Sequence, residues 1–270
     1  MREIGTDTAP RGIDVCGLRK TFFPGTVQEK LALDGVDFSL KPSEFAIVIG
    51  SNGAGKSTTL NAISGEIQTD AGKIAIGENS LDGLPAHQRA RYISRVFQDP
   101  MQGTAASLTI EENLAISVRR GKTRGLRPGL NASERNAFQT ALEALGLGLE
   151  NRLKDRVSLL SGGQRQSLTL TMATHNPPQL LLLDEHTAAL DPRAAELVIK
   201  ATLSVVKQRQ ITTLMITHNM EQAITYGDRL LMMHEGRIIL DLNKAEKAKL
   251  TTADLVDRFH GLVSDRMMLN

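Results

Sequence analysis

The chain has 270 residues, 41% hydrophobic and 3% aromatic, with 32 Lys and Arg against 30 Asp and Glu and one cysteine. At about 150 residues per domain this length allows one or two domains, and it buries enough core to need no disulfide or structural metal. Cys16 alone excludes an internal disulfide framework and a Cys-rich zinc site, the net charge of +2 excludes a polyanion-wrapping protein, and no Trp, two Tyr and seven Phe leave little to stack nucleic-acid bases.

Residues 1–11 carry charge and Pro10 where a secretory signal would have an apolar core, so none is expected. Residues 13–19 and 31–40 alternate apolar and polar side chains, which predicts strands, and Pro24 and Gly25 mark the loop between them. Residues 45–49 (FAIVI) are continuously apolar, as in a strand buried on both faces. A glycine-rich loop follows, then a helix over 56–64 ended by Gly65. Strands are predicted at 73–76 and 92–97. From 99 to 160 the texture turns helical, over 110–118 and then over 132–145 between Asn131 as N-cap and Gly146. Strand and helix patterns then alternate again. They give a strand at 180–183, a helix capped by Asp191 with Pro192 at its first position, and strand-length apolar runs at 211–216 and 230–233. The polar tail from 243 reads as helical. No stretch approaches the ~20 apolar residues of a membrane-spanning helix. The alternation predicts an α/β architecture, an open and mainly parallel sheet covered by helices.

Three motifs carry chemistry. Gly50-Ser51-Asn52-Gly53-Ala54-Gly55-Lys56-Ser57 satisfies G-x-x-x-x-G-K-[ST] between a strand and a helix. Its glycines let backbone N–H groups turn toward a phosphate, and the helix N-terminus adds partial positive charge. Lys56 supplies a point charge for the β- and γ-phosphates and Ser57 a hydroxyl for Mg²⁺. The apolar strand at 180–183 ends in Asp184 and Glu185, at the edge where open α/β sheets bind ligands. There Asp184 would hold Mg²⁺ and Glu185 would polarise an attacking water. Leu160-Ser161-Gly162-Gly163-Gln164, before a helical pattern at 167–174, reads as a second phosphate cradle in which Ser161 and Gln164 form a capping box.

With this pairing the chain resembles the ATP-binding subunits of ABC transporters from about residue 13 to 242. LSGGQ matches the family signature, beside a Walker A loop and a Walker B strand. The resemblance implies a P-loop NTPase core with an N-terminal antiparallel β subdomain and an inserted α-helical subdomain. The implied division is 12–98 for the first part of the core, 99–165 for the helical insertion, 166–242 for the rest of the core and 243–270 for a helical tail. It implies ATP contacts from Gly50 through Thr58, with Mg²⁺ on Ser57, Gln98 and Asp184. Gln98 corresponds to the Q-loop glutamine, Ala189-Leu190-Asp191 to the D-loop and His218 to the switch histidine at the γ-phosphate. Phe22 takes the place of the A-loop aromatic that stacks on adenine, with Phe23 as its rival. Three positions depart from the common pattern: His186 where many members have Pro, Ala188 where Ser is frequent, and Phe rather than Tyr at the A-loop. His186 is read as a structural variant, because Glu185 and His218 already fill the two chemical roles.

The segment 184–191 with Phe97-Gln98-Asp99-Pro100 and Gly103-Thr104 resembles importer ATPases of tryptophan/tyrosine systems. The resemblance implies a homodimer that sandwiches two ATP molecules, with transmembrane permease subunits docked near Gln98 and residues 99–112. A solute-binding protein would act indirectly, with no nucleic acid as partner. It places the chain in the cytoplasm, peripheral on the inner face of the membrane. The basic run Arg119, Arg120, Lys122, Arg124 and Arg127 reads as a solvated face, with attraction to anionic headgroups as the alternative. An exporter subunit and a soluble ATPase of iron–sulfur cluster assembly stay open as alternatives.

Overall fold

The computed structural model describes residues 11–121 and 130–258. Lys122, Arg124 and Arg127 of the basic run lie outside the described residues. In chain order come β1 (Ile13–Phe22), β2 (Lys30–Leu40), β3 (Phe45–Gly50), α1 (Lys56–Ser64), β4 (Ala71–Ile76), β5 (Asn79–Ser80), α2 (Ala86–Arg89) and β6 (Ile93–Val96). Then follow α3 (Ile110–Ser117), α4 (Ala132–Glu143), α5 (Gly162–Thr174), β7 (Leu180–Asp184), α6 (Pro192–Arg209), β8 (Thr212–Ile216), α7 (Met220–Thr225), β9 (Arg229–His234), β10 (Arg237–Asn243) and α8 (Lys244–Lys247). They pack as two compact units, one from residues 11–89 and the stretch from 212 onward, the other from residues 90–211.

In the first unit β1 pairs antiparallel with β2 and with β4, in the order β2-β1-β4-β5. Strand β1 runs to Phe22, beyond the predicted end at residue 19. A register shift between Val15 and Leu18, where Gly17 takes φ 59°, breaks the alternation that the sequence reading followed. The same unit holds β3 parallel to both β8 and β9, with Val48 opposite Ile216 and Gly50 opposite Met233. Phe45 to Ile49 are all buried, which the continuous apolar run requires. Strand β10 returns antiparallel to β9.

In the second unit β6 and β7 run parallel, Ile93 opposite Leu180 and Val96 opposite Leu183. Ile110, Leu114, Phe138, Leu142, Leu149 and Leu168 form one apolar cluster among α3, α4 and α5. Each of these helices begins with a capping box: Thr109 with Glu112, Asn131 with Glu134 and Ser161 with Gln164. Such caps contribute about 1 kcal/mol each. Among the described residues no helix is long and apolar enough to cross a membrane.

Candidate active site

The residues singled out from the sequence divide between the units. In the first unit β3 delivers Gly50 to a loop that ends at α1. A Cβ on Gly50 (φ 151°) would lie 2.2 Å from the Met233 carbonyl oxygen, and one on Gly55 (φ 102°) 2.7 Å from that of Ala32. Only glycine lets the loop close this tightly. Gly236 N–H donates to the Ala54 carbonyl at 3.0 Å and ties the β9–β10 turn to the loop. Lys56 is buried, and its Nζ donates to the carbonyls of Gly50 and Ser51 at 2.8 and 2.9 Å. Ser51, Asn52, Gly53 and Ser57 are exposed, Thr58 is half-buried and Ala54 is buried.

The helix start differs from the others. α3, α4, α5 and α6 each have a side chain accepting from the first turn, whereas Gly55 caps α1 with no side chain at all. The start of α1 therefore carries no side-chain cap, and no acidic residue in its first turn repels an anion. This cradle fits phosphate oxygens.

His218 lies two residues beyond Ile216, as Gly50 lies two beyond Val48. The parallel β3–β8 register therefore puts both at one carboxyl edge. Thr217 fixes the turn: its N–H donates to the Val48 carbonyl at 3.2 Å and its hydroxyl to Oε1 of Gln222 at 3.0 Å. His218 itself is exposed. Phe22 ends β1 half-buried, with Lys20 Nζ 5.7 Å from its ring centroid. Phe23 follows at φ 50°, its side chain exposed and its ring 6.5 Å from that of Phe22.

In the second unit β7 ends in the buried Asp184, whose Oδ2 accepts from Arg95 at 2.6 Å. Glu185 then takes φ 45°, a left-handed conformation that non-glycine residues seldom adopt and that concentrates at functional sites. His186 turns inward and is buried, with Nε2 3.1 Å from the Thr202 hydroxyl. That hydroxyl already donates to the Val198 carbonyl at 2.8 Å, so Nε2 of His186 carries the hydrogen between them. Burial pushes the imidazole down to about 4 from an ordinary 6.5. His186 is thus a neutral packing residue, consistent with its reading as a structural variant.

A pH dependence follows. The unfolded chain takes up the proton near 6.5, the folded one only near 4. The part of stability linked to His186 is therefore full above about 6.5 and declines as pH falls from there to about 4. Thermal melting of His186→Gln should drop less across that window than melting of the unmutated protein. Equal slopes would contradict this.

The signature is a helix start: α5 begins at Gly162, directly after Ser161, the cap expected from the sequence. Ser161 is exposed; its Oγ accepts from Gln164 N–H at 3.3 Å and its N–H donates to Gln164 Oε1 at 3.2 Å. Leu160 is buried beneath it. A Cβ on Gly163 would meet the Ala194 Cβ at 2.8 Å, and one on Gly162 would touch Leu190. The signature and the D-loop therefore lie side by side, with Asp191 capping α6 through the Ala194 N–H at 3.0 Å. Gln98 is exposed after β6. The segment beyond it is anchored by buried Asn113, which accepts from Ala105 N–H at 2.8 Å and donates to the Ala105 and Thr109 carbonyls. The sequence reading missed Arg95; its signal was a lone charge inside a predicted strand.

Known proteins resemble this chain over most of its length. The ABC transporter family model matches residues 33–188. The tyrosine transport ATP-binding protein of Clostridioides difficile is 44% identical over 236 residues, 87% of this chain and 92% of that protein. The phosphonates import ATP-binding protein PhnC of Frankia casuarinae is 35% identical, covering 79% and 85% of the two chains. Among solved structures, a dimeric ATP-binding cassette in a post-hydrolysis state with ADP and Pi superposes with a TM-score of 0.73 at 26% identity. That match covers 86% of this chain and 98% of the cassette. The chain belongs to the ABC transporter family. It is an ATP-binding, ATP-hydrolysing transporter subunit with the P-loop fold expected from the sequence.

Proposed function

We propose that two copies of this chain sandwich two ATP molecules head to tail, each between Gly50–Thr58 of one copy and Leu160–Gln164 of the other. The observation that carries this reading is the uncapped, glycine-lined start of α1 on a chain that also presents the exposed Ser161–Gly162 start of α5. The dimeric state of the ADP-bound cassette supports it. ATP held at such an interface binds the closed dimer better than the open one, and that difference drives closure. Adenine stacks on the exposed face of the Phe22–Phe23 pair. Asp191 and its D-loop, packed beside the signature, complete the interface.

Within each sandwich Glu185 takes a proton from the attacking water as its oxygen bonds to the γ-phosphorus and the bond to ADP breaks. His218 orients the γ-phosphate. Ser57, Gln98 and Asp184 offer hard oxygen donors with a single carboxylate, a set that suits Mg²⁺ shared with nucleotide phosphates. Among the described residues no cluster of three His, Cys, Asp or Glu competes for a metal. When bound, Mg²⁺ neutralises charge on the β- and γ-phosphates.

Closing and opening would drive alternating access in transmembrane permeases docked around residues 99–112, where Met101 is exposed, with Ile116 and Leu159 exposed nearby. This docking would hold the subunit on the inner face of the membrane. The import names of several relatives favour uptake over export, with a solute-binding protein delivering the solute. The similarity to a tyrosine transport protein favours aromatic amino acids as cargo. We also infer the four-part division at 12–98, 99–165, 166–242 and 243–270 on the family pattern.

Ser161→Arg tests the sandwich. Its P-loop is untouched, so each chain should still bind ATP, less tightly only by what closure contributes, while turnover falls about tenfold or more. Calorimetry and phosphate release read the two separately. Undiminished turnover would refute the cross-chain role of the signature.

A further inference from the structure

Strand β6 (Ile93–Val96) carries one charge, Arg95, between buried Ser94 and buried Val96. The β6–β7 register sets Arg95 opposite Leu182, and the period of two then places Arg95 and Asp184 on the same face. Their side chains are about nine-tenths buried, 9% and 12% exposed, and meet at 2.6 Å. The Arg95 guanidinium also lies 4.8 Å from the ring centroid of Phe97, the residue before Gln98. The Phe97 carbonyl accepts at 3.0 Å from Nε2 of Gln166, which is fully buried in α5. One chain of contacts therefore joins the carboxylate at the end of β7, the segment leading into Gln98 and the signature helix.

A buried ion pair is seldom the most stable filling for its space, since desolvation offsets much of the attraction. Its placement at Asp184 matters more than its stability. A carboxylate that accepts from a guanidinium offers less negative potential to a cation. We propose that Arg95 is a positioning residue that competes with the divalent cation for Asp184, so that cation arrival is coupled to the Phe97–Gln98 segment. This rests on the reading of Asp184 as a cation ligand. Displacing the guanidinium from Asp184 leaves it stacked on Phe97, and the rearrangement is passed to Gln98 and, through Gln166, to the signature helix.

Mn²⁺ binding followed by electron paramagnetic resonance, with a non-hydrolysable ATP analogue, tests this. An adjacent opposite charge alters a carboxylate's proton affinity by about tenfold or more, and a shift of that order is expected for the cation. Arg95→Met should lower the half-saturating Mn²⁺ concentration about tenfold. Arg95→Lys, which keeps the charge, should stay near the unmutated value. Arg95→Gln carries the same expectation as Arg95→Met and serves if the methionine variant fails to fold. The Mg²⁺ concentration for half-maximal ATP hydrolysis should shift by the same factor. Unchanged Mn²⁺ affinity in the neutral variants, or an equal shift in Arg95→Lys, would overturn the proposal. If the unmutated protein takes up no Mn²⁺ with the analogue, the assignment of Asp184 as a ligand fails first, and the role of Arg95 with it.

Discussion

Glu185→Gln is expected to bind ATP as the unmutated protein does and to turn it over about 10²–10³-fold more slowly, the usual worth of a positioned general base. The amide keeps the size and the hydrogen-bonding capacity of the carboxylate, but it cannot take a proton from water. Two features make this residue the place to look. It follows directly on the strand that delivers Asp184, and its backbone sits at φ 45°, which costs of order 1 kcal/mol or more in a residue with a Cβ. A chain that holds a glutamate there against that cost uses the side-chain direction it produces. Phosphate release at saturating ATP is the measurement, and activity near the unmutated rate would remove Glu185 from the mechanism.

Lys56→Ala is expected to fail one step earlier. Nζ of Lys56 is held by the Gly50 and Ser51 carbonyls inside the loop, and carbonyl dipoles fix an ammonium without cancelling its charge. The loop thus presents a positive charge where phosphates of ATP would lie. Charge-assisted contacts contribute about 1.5–3 kcal/mol each, so ATP affinity should fall about a hundredfold. Titration calorimetry reads this directly. The variant also releases two carbonyls, so its melting temperature should be measured alongside to separate lost affinity from lost folding. Undiminished ATP affinity would count against the assignment.

How far the sequence was legible depends on how local the determinant was. The helix at 56–64 was readable to the residue because Gly55 and Gly65 both take positive φ and stop it on either side. The caps at Asn131, Ser161 and Asp191 were equally plain, each a short-range contact between neighbours. Strand β10 was missed because its exposure varies along one edge and leaves little alternation to read. Six-residue α7 and four-residue α2 are too short for a helical period. The packing of Gly162 and Gly163 on Leu190 and Ala194, which joins the start of α5 to the segment before α6, was not readable from the sequence.

The motif residues of the candidate site were legible because phosphate chemistry restricts both type and spacing. What surrounds them was not. The inward turn of His186 toward Thr202 and the ion pair of Arg95 with Asp184 depend on partners 16 and 89 positions away, and the left-handed backbone of Glu185 is not visible in residue type.

If ATP joins two copies of this chain, light scattering of Glu185→Gln with and without ATP will show it. With hydrolysis blocked the closed state should persist. One chain mass is expected without nucleotide and twice that mass with ATP. A single-chain mass under both conditions, in a protein shown by calorimetry to have bound ATP, would contradict it.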